Sequence, residues 1–229
     1  MHKLVMIPGT LCNESLFRHQ VEYFKHTFEL HVVDSSSRDT LHDQAKAILE
    51  QVPGKFILMG LSYGAIIAFE IIRQASNRLE KLIILNSNYK IPSDQTRANF
   101  ARFEEMTRKG RFQDITSDYL LPLMLYPSHS KIESLSNEVI KMADSVGVEG
   151  FRNQMKAQLS RPDSSQTLKE VVCPTLIIAG AQDKVCPVAW HQEMHEMIPG
   201  SKLEIIEQCG HLSTMERPEK INQTITNWI

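Results

Sequence analysis

The stretch Phe56-Ile57-Leu58-Met59-Gly60-Leu61-Ser62-Tyr63-Gly64-Ala65-Ile66-Ile67-Ala68 decides how the chain is read. Four apolar residues end in a turn with a serine between two glycines, and an apolar-faced helical pattern starts at once. A serine held at a sharp strand-to-helix turn is the arrangement that exposes a nucleophilic hydroxyl at the edge of a sheet. The flanking glycines have a steric purpose, because the strained turn brings its backbone against neighbouring strand and helix. The bare Gly-x-Ser-x-Gly pattern turns up by chance in under about a tenth of chains this long, given Gly and Ser frequencies of roughly 7%. Its setting between a strand and a helix therefore carries the argument.

Working outward, further short runs rich in Ile, Leu and Val recur at Lys3 to Ile7, Leu30 to Asp34, Leu82 to Leu85, Thr175 to Ala179 and Leu203 to Ile206. Continuous apolar runs of this length suit strands buried on both faces of a parallel sheet. Helical patterns alternate with them, at about Leu16 to His26, Leu41 to Gln51, Tyr63 to Ala75, Trp190 to Met197 and Pro218 to Ile229. The alternation predicts a doubly wound α/β core with a mostly parallel six-stranded sheet and helices on both faces. From about Tyr89 to Glu170 the apolar residues recur at helical spacing instead, as in Phe100, Phe103 and Met106 or Phe151, Met155 and Leu159. The expected organisation is a core of residues 1–88 and 171–229 with a helical lid, 89–170, over the carboxyl ends of the strands, where open α/β sheets bind ligands.

A serine hydroxyl is a poor nucleophile near neutral pH and needs a base within hydrogen-bond reach and an acid to orient that base. Two later loops supply them. Asp183 follows the run Thr175 to Ala179, and His211 follows Leu203 to Ile206, so both sit at the sheet edge that carries Ser62. The chain order Ser, Asp, His is the one this arrangement uses. Asn86 and Asn88 occupy the other place where an acid could stand, after Leu82 to Leu85, and cannot act as one. Asp94 reads as the start of a lid helix.

Negative charge developing on a substrate oxygen calls for two fixed N–H donors. Tyr63, just after the serine, is expected to give one. The turn Pro8-Gly9-Thr10-Leu11 is expected to give the other, from Thr10 first and Leu11 second, with Leu11 also placed against the substrate. The run Tyr119 to Tyr126 is apolar, and its Leu121 and Met124 either face an acyl chain or pack the lid on the core.

The remaining composition narrows the function classes. Of 229 residues, 25 are basic and 27 acidic, a formal net charge of −2 spread along the chain, so no basic field favours nucleic acid or anionic lipid. No run approaches the ~20 apolar residues of a membrane span, and no secretory leader is evident at the N-terminus. Four scattered cysteines without Cys-x-x-Cys spacing suit a reduced, cytoplasmic location. Cys186 and Cys209 flank the candidate acid and base but occupy no comparable turn, and read as packing residues. His191 and His195 share a helix face and read as solvated surface; no metal is expected. Nothing in the pattern sets an oligomeric state.

Together, Pro8-Gly9-Thr10, the Gly60 to Gly64 turn, Cys173-Pro174-Thr175, Asp183 with Pro187, and Gly210-His211 ahead of Glu216-Arg217-Pro218-Glu219 resemble the α/β-hydrolase superfamily over nearly the whole chain. The likeness is to its compact lidded esterases and lactonases, such as pimeloyl-acyl-carrier-protein methyl esterases and 3-oxoadipate enol-lactonases. The chain departs from that pattern by starting at the strand before the oxyanion turn and by carrying Pro8-Gly9 where His-Gly is common. The resemblance implies a small-molecule ester, lactone or thioester substrate, a serine nucleophile and no cofactor. The same machinery serves carbon–carbon bond hydrolases and perhydrolases, and a hydrolase-like receptor with slow turnover is the reading from another class.

Overall fold

The computed structural model describes all residues from Met1 to Ile229. Six strands, β1 (Lys3–Ile7), β2 (Glu29–Val32), β3 (Phe56–Leu61), β4 (Leu79–Leu85), β5 (Thr175–Gly180) and β6 (Lys202–Ile206), form one sheet in the order β2-β1-β3-β4-β5-β6. Every neighbouring pair is parallel. The inner strands β3 and β5 are buried along their whole length, which is why their sequences are unbroken apolar runs instead of alternating ones.

The helices α1 (Arg18–Phe24), α2 (Leu41–Gln51) and α3 (Tyr63–Ala75) separate the first four strands. Thr40 caps α2 by accepting the Asp43 N–H, the N-terminal signature of a Ser/Thr-capped helix. The segment between β4 and β5 is helical throughout its ordered elements: α4 (Asp94–Arg108), α5 (Phe112–Asp114), a π-helical turn (Ile115–Leu120), α6 (Leu121–Met124), α7 (Ile132–Leu159), kinked at Gly147, and α8 (Ser165–Lys169). The chain closes with α9 (Val188–Met197), α10 (Ser213–Glu216) and α11 (Pro218–Trp228). No helix is long and apolar enough to cross a membrane.

Two buried clusters of nearly equal size, 26 and 25 residues, lie on opposite faces of the sheet, one beneath α2 and α3 and the other beneath α1 and α11. A third, with Leu11, Phe103, Met106 and Phe151, joins the β1 turn to α4 and α7. The strand order places β1 between β2 and β3, so successive connections leave β1 in opposite directions. Such a switch point opens a crevice at the carboxyl ends of the strands. The register Ile7↔Gly60 aligns the end of β1 with the end of β3 there.

Candidate active site

Four loop backbones are fastened at this edge before any side chain contributes. Ser62 N–H donates to Leu85 O and Asn86 N–H to Ile178 O, both at 2.9 Å. Ala181 and Gln182 N–H donate to Ile206 O and Cys209 O, also at 2.9 Å. Ser62 itself is held at φ 56°, ψ −117°, a strained conformation for a residue with a side chain. The surroundings enforce it: a Cβ on Gly64 would lie 2.0 Å from Ile7 O, and one on Gly60 2.5 Å from Ala65 N. Neither neighbour is a side chain that could swing away, so only glycine fits on either side of the serine.

The side chains of Ser62, His211 and Asp183 form one continuous chain. His211 Nε2 lies 2.9 Å from Ser62 Oγ, and His211 Nδ1 lies 2.8 Å from Asp183 Oδ2. Asp183 and His211 are 6% and 2% exposed, so the pair is shielded while Ser62 is half-buried against a cavity. Asp183 Oδ1 accepts N–H bonds from Val185 (2.8 Å) and Cys186 (2.9 Å), and Asn86 Nδ2 donates to Oδ2 at 3.0 Å. Burial by itself would raise the Asp183 carboxyl, but His211 beside it and these donors outweigh burial and hold it below the usual range. Asp183 is therefore an ionised carboxylate whose four bonds fix its plane.

The Pro8–Leu11 turn abuts the serine, since a Cβ on Gly9 would stand 3.3 Å from Ser62 Cβ. The Thr10 N–H has no backbone acceptor. Tyr63 N–H opens α3, where the helix supplies no partner. Leu11 N–H, in contrast, is occupied by Gln154 Oε1 at 2.9 Å, and Thr10 Oγ1 accepts from Gln158 Nε2 at 3.0 Å. Two glutamines one turn apart on α7 thus support the turn in the absence of a histidine at position 8.

A cavity of about 290 Å³ opens on Ser62 and His211. Its apolar wall includes Phe100, Phe103, Leu120, Met124 and Phe151 from the helical segment. Met124 lines it and is at the same time buried in a core cluster, whereas Leu11 and Leu121 lie outside the lining. The left-handed conformation of Leu11 (φ 56°) tucks its side chain beneath α4 and α7. Leu120, the last residue of the π-helical turn, lines the cavity and also packs on the core, while Leu121 packs on the core without lining the cavity.

Buried polar groups that the sequence reading gave no role complete the site. Glu216, 2% exposed, accepts N–H bonds from Tyr126 (2.8 Å), Gly210 (3.1 Å) and Leu212 (3.1 Å), while His211 N–H donates to Met124 O at 2.7 Å. Burial raises its carboxyl against the lowering effect of those donors. His191 is fully buried instead of forming solvated surface: its Nε2 accepts the Ser87 N–H at 2.9 Å, and Ser87 Oγ donates to Ser62 O at 2.8 Å. Burial lowers its basicity, so it acts as a neutral ring that anchors the loop beside the serine. Cys186 has its Sγ within 4.8 Å of ligand-type atoms of Asp183 and His211. Burial pushes that thiol up and keeps it protonated, and the carboxylate and imidazole already use their facing atoms on each other.

The sequence profile described as the alpha/beta hydrolase family matches residues 4–224. The chain is similar to a pimeloyl-[acyl-carrier protein] methyl ester esterase of Nitrosomonas europaea, 25% identical over 95% of this chain and 91% of that protein. It is likewise similar to 3-oxoadipate enol-lactonase 2 of Acinetobacter baylyi, 26% identical over 93% of this chain and 83% of that protein. Among solved structures, a thermophilic esterase from Thermogutta terrifontis superposes with a TM-score of 0.88 at 24% identity, over 100% of this chain and 89% of the esterase.

Proposed function

Because this chain belongs to the alpha/beta hydrolase family, we propose that it is a serine hydrolase cleaving a small or medium carboxylic ester, lactone or thioester through an acyl-enzyme. The observation that carries this reading is the unbroken sequence of contacts from Ser62 Oγ through both nitrogens of His211 to the buried Asp183 carboxylate. The similarity to an esterase and an enol-lactonase supports the substrate class.

In this mechanism Asp183 accepts the Nδ1–H of His211, which leaves Nε2 free to take the proton of Ser62 as its Oγ attacks the carbonyl carbon. The oxyanion of the tetrahedral intermediate is held by the N–H groups of Thr10 and Tyr63. His211 returns the proton to the leaving oxygen or sulfur, and a water activated by the same imidazole then releases the acyl group. The half-buried serine gives access to substrate, and the shielded His211–Asp183 pair keeps its charges in a medium of low dielectric, where they act strongly. Residues 89–170 serve as a lid on the core of residues 1–88 and 171–229, since Phe100, Phe103 and Phe151 wall the cavity above Ser62.

Hydrolysis of p-nitrophenyl butyrate by wild type and Ser62→Ala tests the assignment. Removal of the nucleophile is expected to reduce turnover on the order of 10⁴ to 10⁶-fold. A folded variant with more than a tenth of wild-type activity would refute it.

A further inference from the structure

Arg161 follows the end of α7 and lines the same cavity as Ser62, yet it is only 9% exposed. A buried guanidinium is normally matched by a carboxylate, because an uncompensated buried charge is strongly unfavourable. Here the matching group is missing. Nε donates to Lys90 O at 2.8 Å and Nη1 to Gln158 O at 3.4 Å, both neutral carbonyls, and Nη2 has no protein acceptor. Its ionisable neighbours are the protonated Cys186 and Arg97, and no carboxylate pairs with it. The other cation of the lining, Lys90, is already neutralised by Glu193 at 2.7 Å. The cavity therefore carries one positive charge with a free edge of N–H donors.

From this juxtaposition we infer that Arg161 is an anion subsite and that the ester or lactone hydrolysed here carries a free carboxylate on its acyl part. The inference rests on the serine-hydrolase reading and narrows its substrate class. A carboxylate fits better than a phosphate because one guanidinium edge pairs with two oxygens sharing a single negative charge. The aromatic walls then enclose the carbon chain between the ionic end and the scissile carbonyl, and by excluding water they strengthen the ionic contact. A purely structural Arg161, tying Lys90 to the end of α7, would use Nε and Nη1 and leave Nη2 idle; it would alter stability without discriminating substrates by charge.

The test compares mono-p-nitrophenyl glutarate with p-nitrophenyl valerate, which share acyl length and leaving group and differ in the terminal carboxylate. Wild type is expected to favour the glutarate in kcat/KM by about tenfold to a hundredfold, the worth of a charge-assisted hydrogen bond. Arg161→Gln should abolish that ratio and Arg161→Lys should retain part of it, with melting temperatures showing that both variants fold. A wild-type ratio near one, or a ratio that survives in Arg161→Gln, overturns the subsite while leaving the hydrolase reading intact. If neither ester is cleaved, the hydrolase reading fails. Calorimetric binding of glutarate then decides the subsite: saturable binding lost in Arg161→Gln supports it, and absence of binding to wild type overturns it.

Discussion

Asn86 donates through one amide nitrogen to both Asp183 Oδ2, at 3.0 Å, and Gly210 O, at 3.2 Å. The residue that follows β4 therefore grips the candidate acid and the residue before His211 at once. Replacing Asn86 by Ala removes a hydrogen bond to a buried charge and frees the histidine loop, and is expected to lower kcat/KM by about tenfold to a hundredfold. Asn86→Asp should be worse, since it sets a second carboxylate against Asp183 and raises the affinity of the pair for a proton. Steady-state kinetics on one activated ester checks both; an Asn86→Asp variant as active as wild type would count against Asp183 as the acid.

That bond also shows where sequence reading reaches and where it stops. The elbow, the six strands and the helices α2 and α3 are legible because each is encoded locally, by apolar runs buried on both sheet faces, by a capped amphipathic period in α2, or by the Gly-flanked serine that opens α3. The start of β4 is not legible because Leu79-Glu80-Lys81 mixes charge into a strand that becomes wholly apolar only at Leu82. In the sequence Asn86 shows only that it cannot be an acid, since its partner lies 97 residues away. The bonds of Gln154 and Gln158 to the Pro8–Leu11 turn are hidden for the same reason, although two glutamines at helical spacing on an otherwise apolar face are a usable signal. In the helical segment, the run Tyr119 to Tyr126 spans the end of a π-helical turn and the start of α6, so a regular 3.6-residue period does not tell which leucine meets the cavity.

The acid limb of stability should depend on Asp183. Its folded-state pKa is lowered below the unfolded value of ~3.9, so its contribution is present above that value and is lost as pH falls through the folded pKa. Asp183→Asn should be less stable than wild type at pH 7 by about 1.5–3 kcal/mol, and the gap should narrow on acidification towards pH 3. Urea midpoints of the two proteins from pH 7 to pH 3 measure this. Parallel curves would show that the carboxylate's bonds contribute nothing specific to the folded state.

Gln154→Met keeps the volume of the side chain and removes the acceptor for Leu11 N–H. Leaving that buried donor unpaired is expected to cost about 1–3 kcal/mol of stability. Because the bond acts through the neighbouring Thr10 N–H, kcat should fall about tenfold while KM changes little, a part of the 10²–10³ assigned to a complete oxyanion donor. A loss confined to KM would place Gln154 in substrate binding instead.

Acyl length measures the depth of the cavity. Across straight-chain p-nitrophenyl esters from acetyl to palmitoyl, kcat/KM should rise at first by up to about fourfold per methylene, the equivalent of ~0.8 kcal/mol for each one buried. It should fall once the chain outgrows the 290 Å³ available beneath Phe100, Phe103 and Phe151. A continuous rise to palmitoyl would mean an open groove and would remove the lid from the account.

The most direct test of the central claim is covalent labelling with a fluorophosphonate, followed by peptide mass spectrometry. The reagent reaches a stable tetrahedral adduct only on an activated nucleophile facing an oxyanion site. The account predicts one phosphonyl group on Ser62, none on Ser62→Ala, and labelling slowed at least a hundredfold in His211→Ala. A label on Cys186 or Cys209, or equal labelling rates with and without His211, would contradict it.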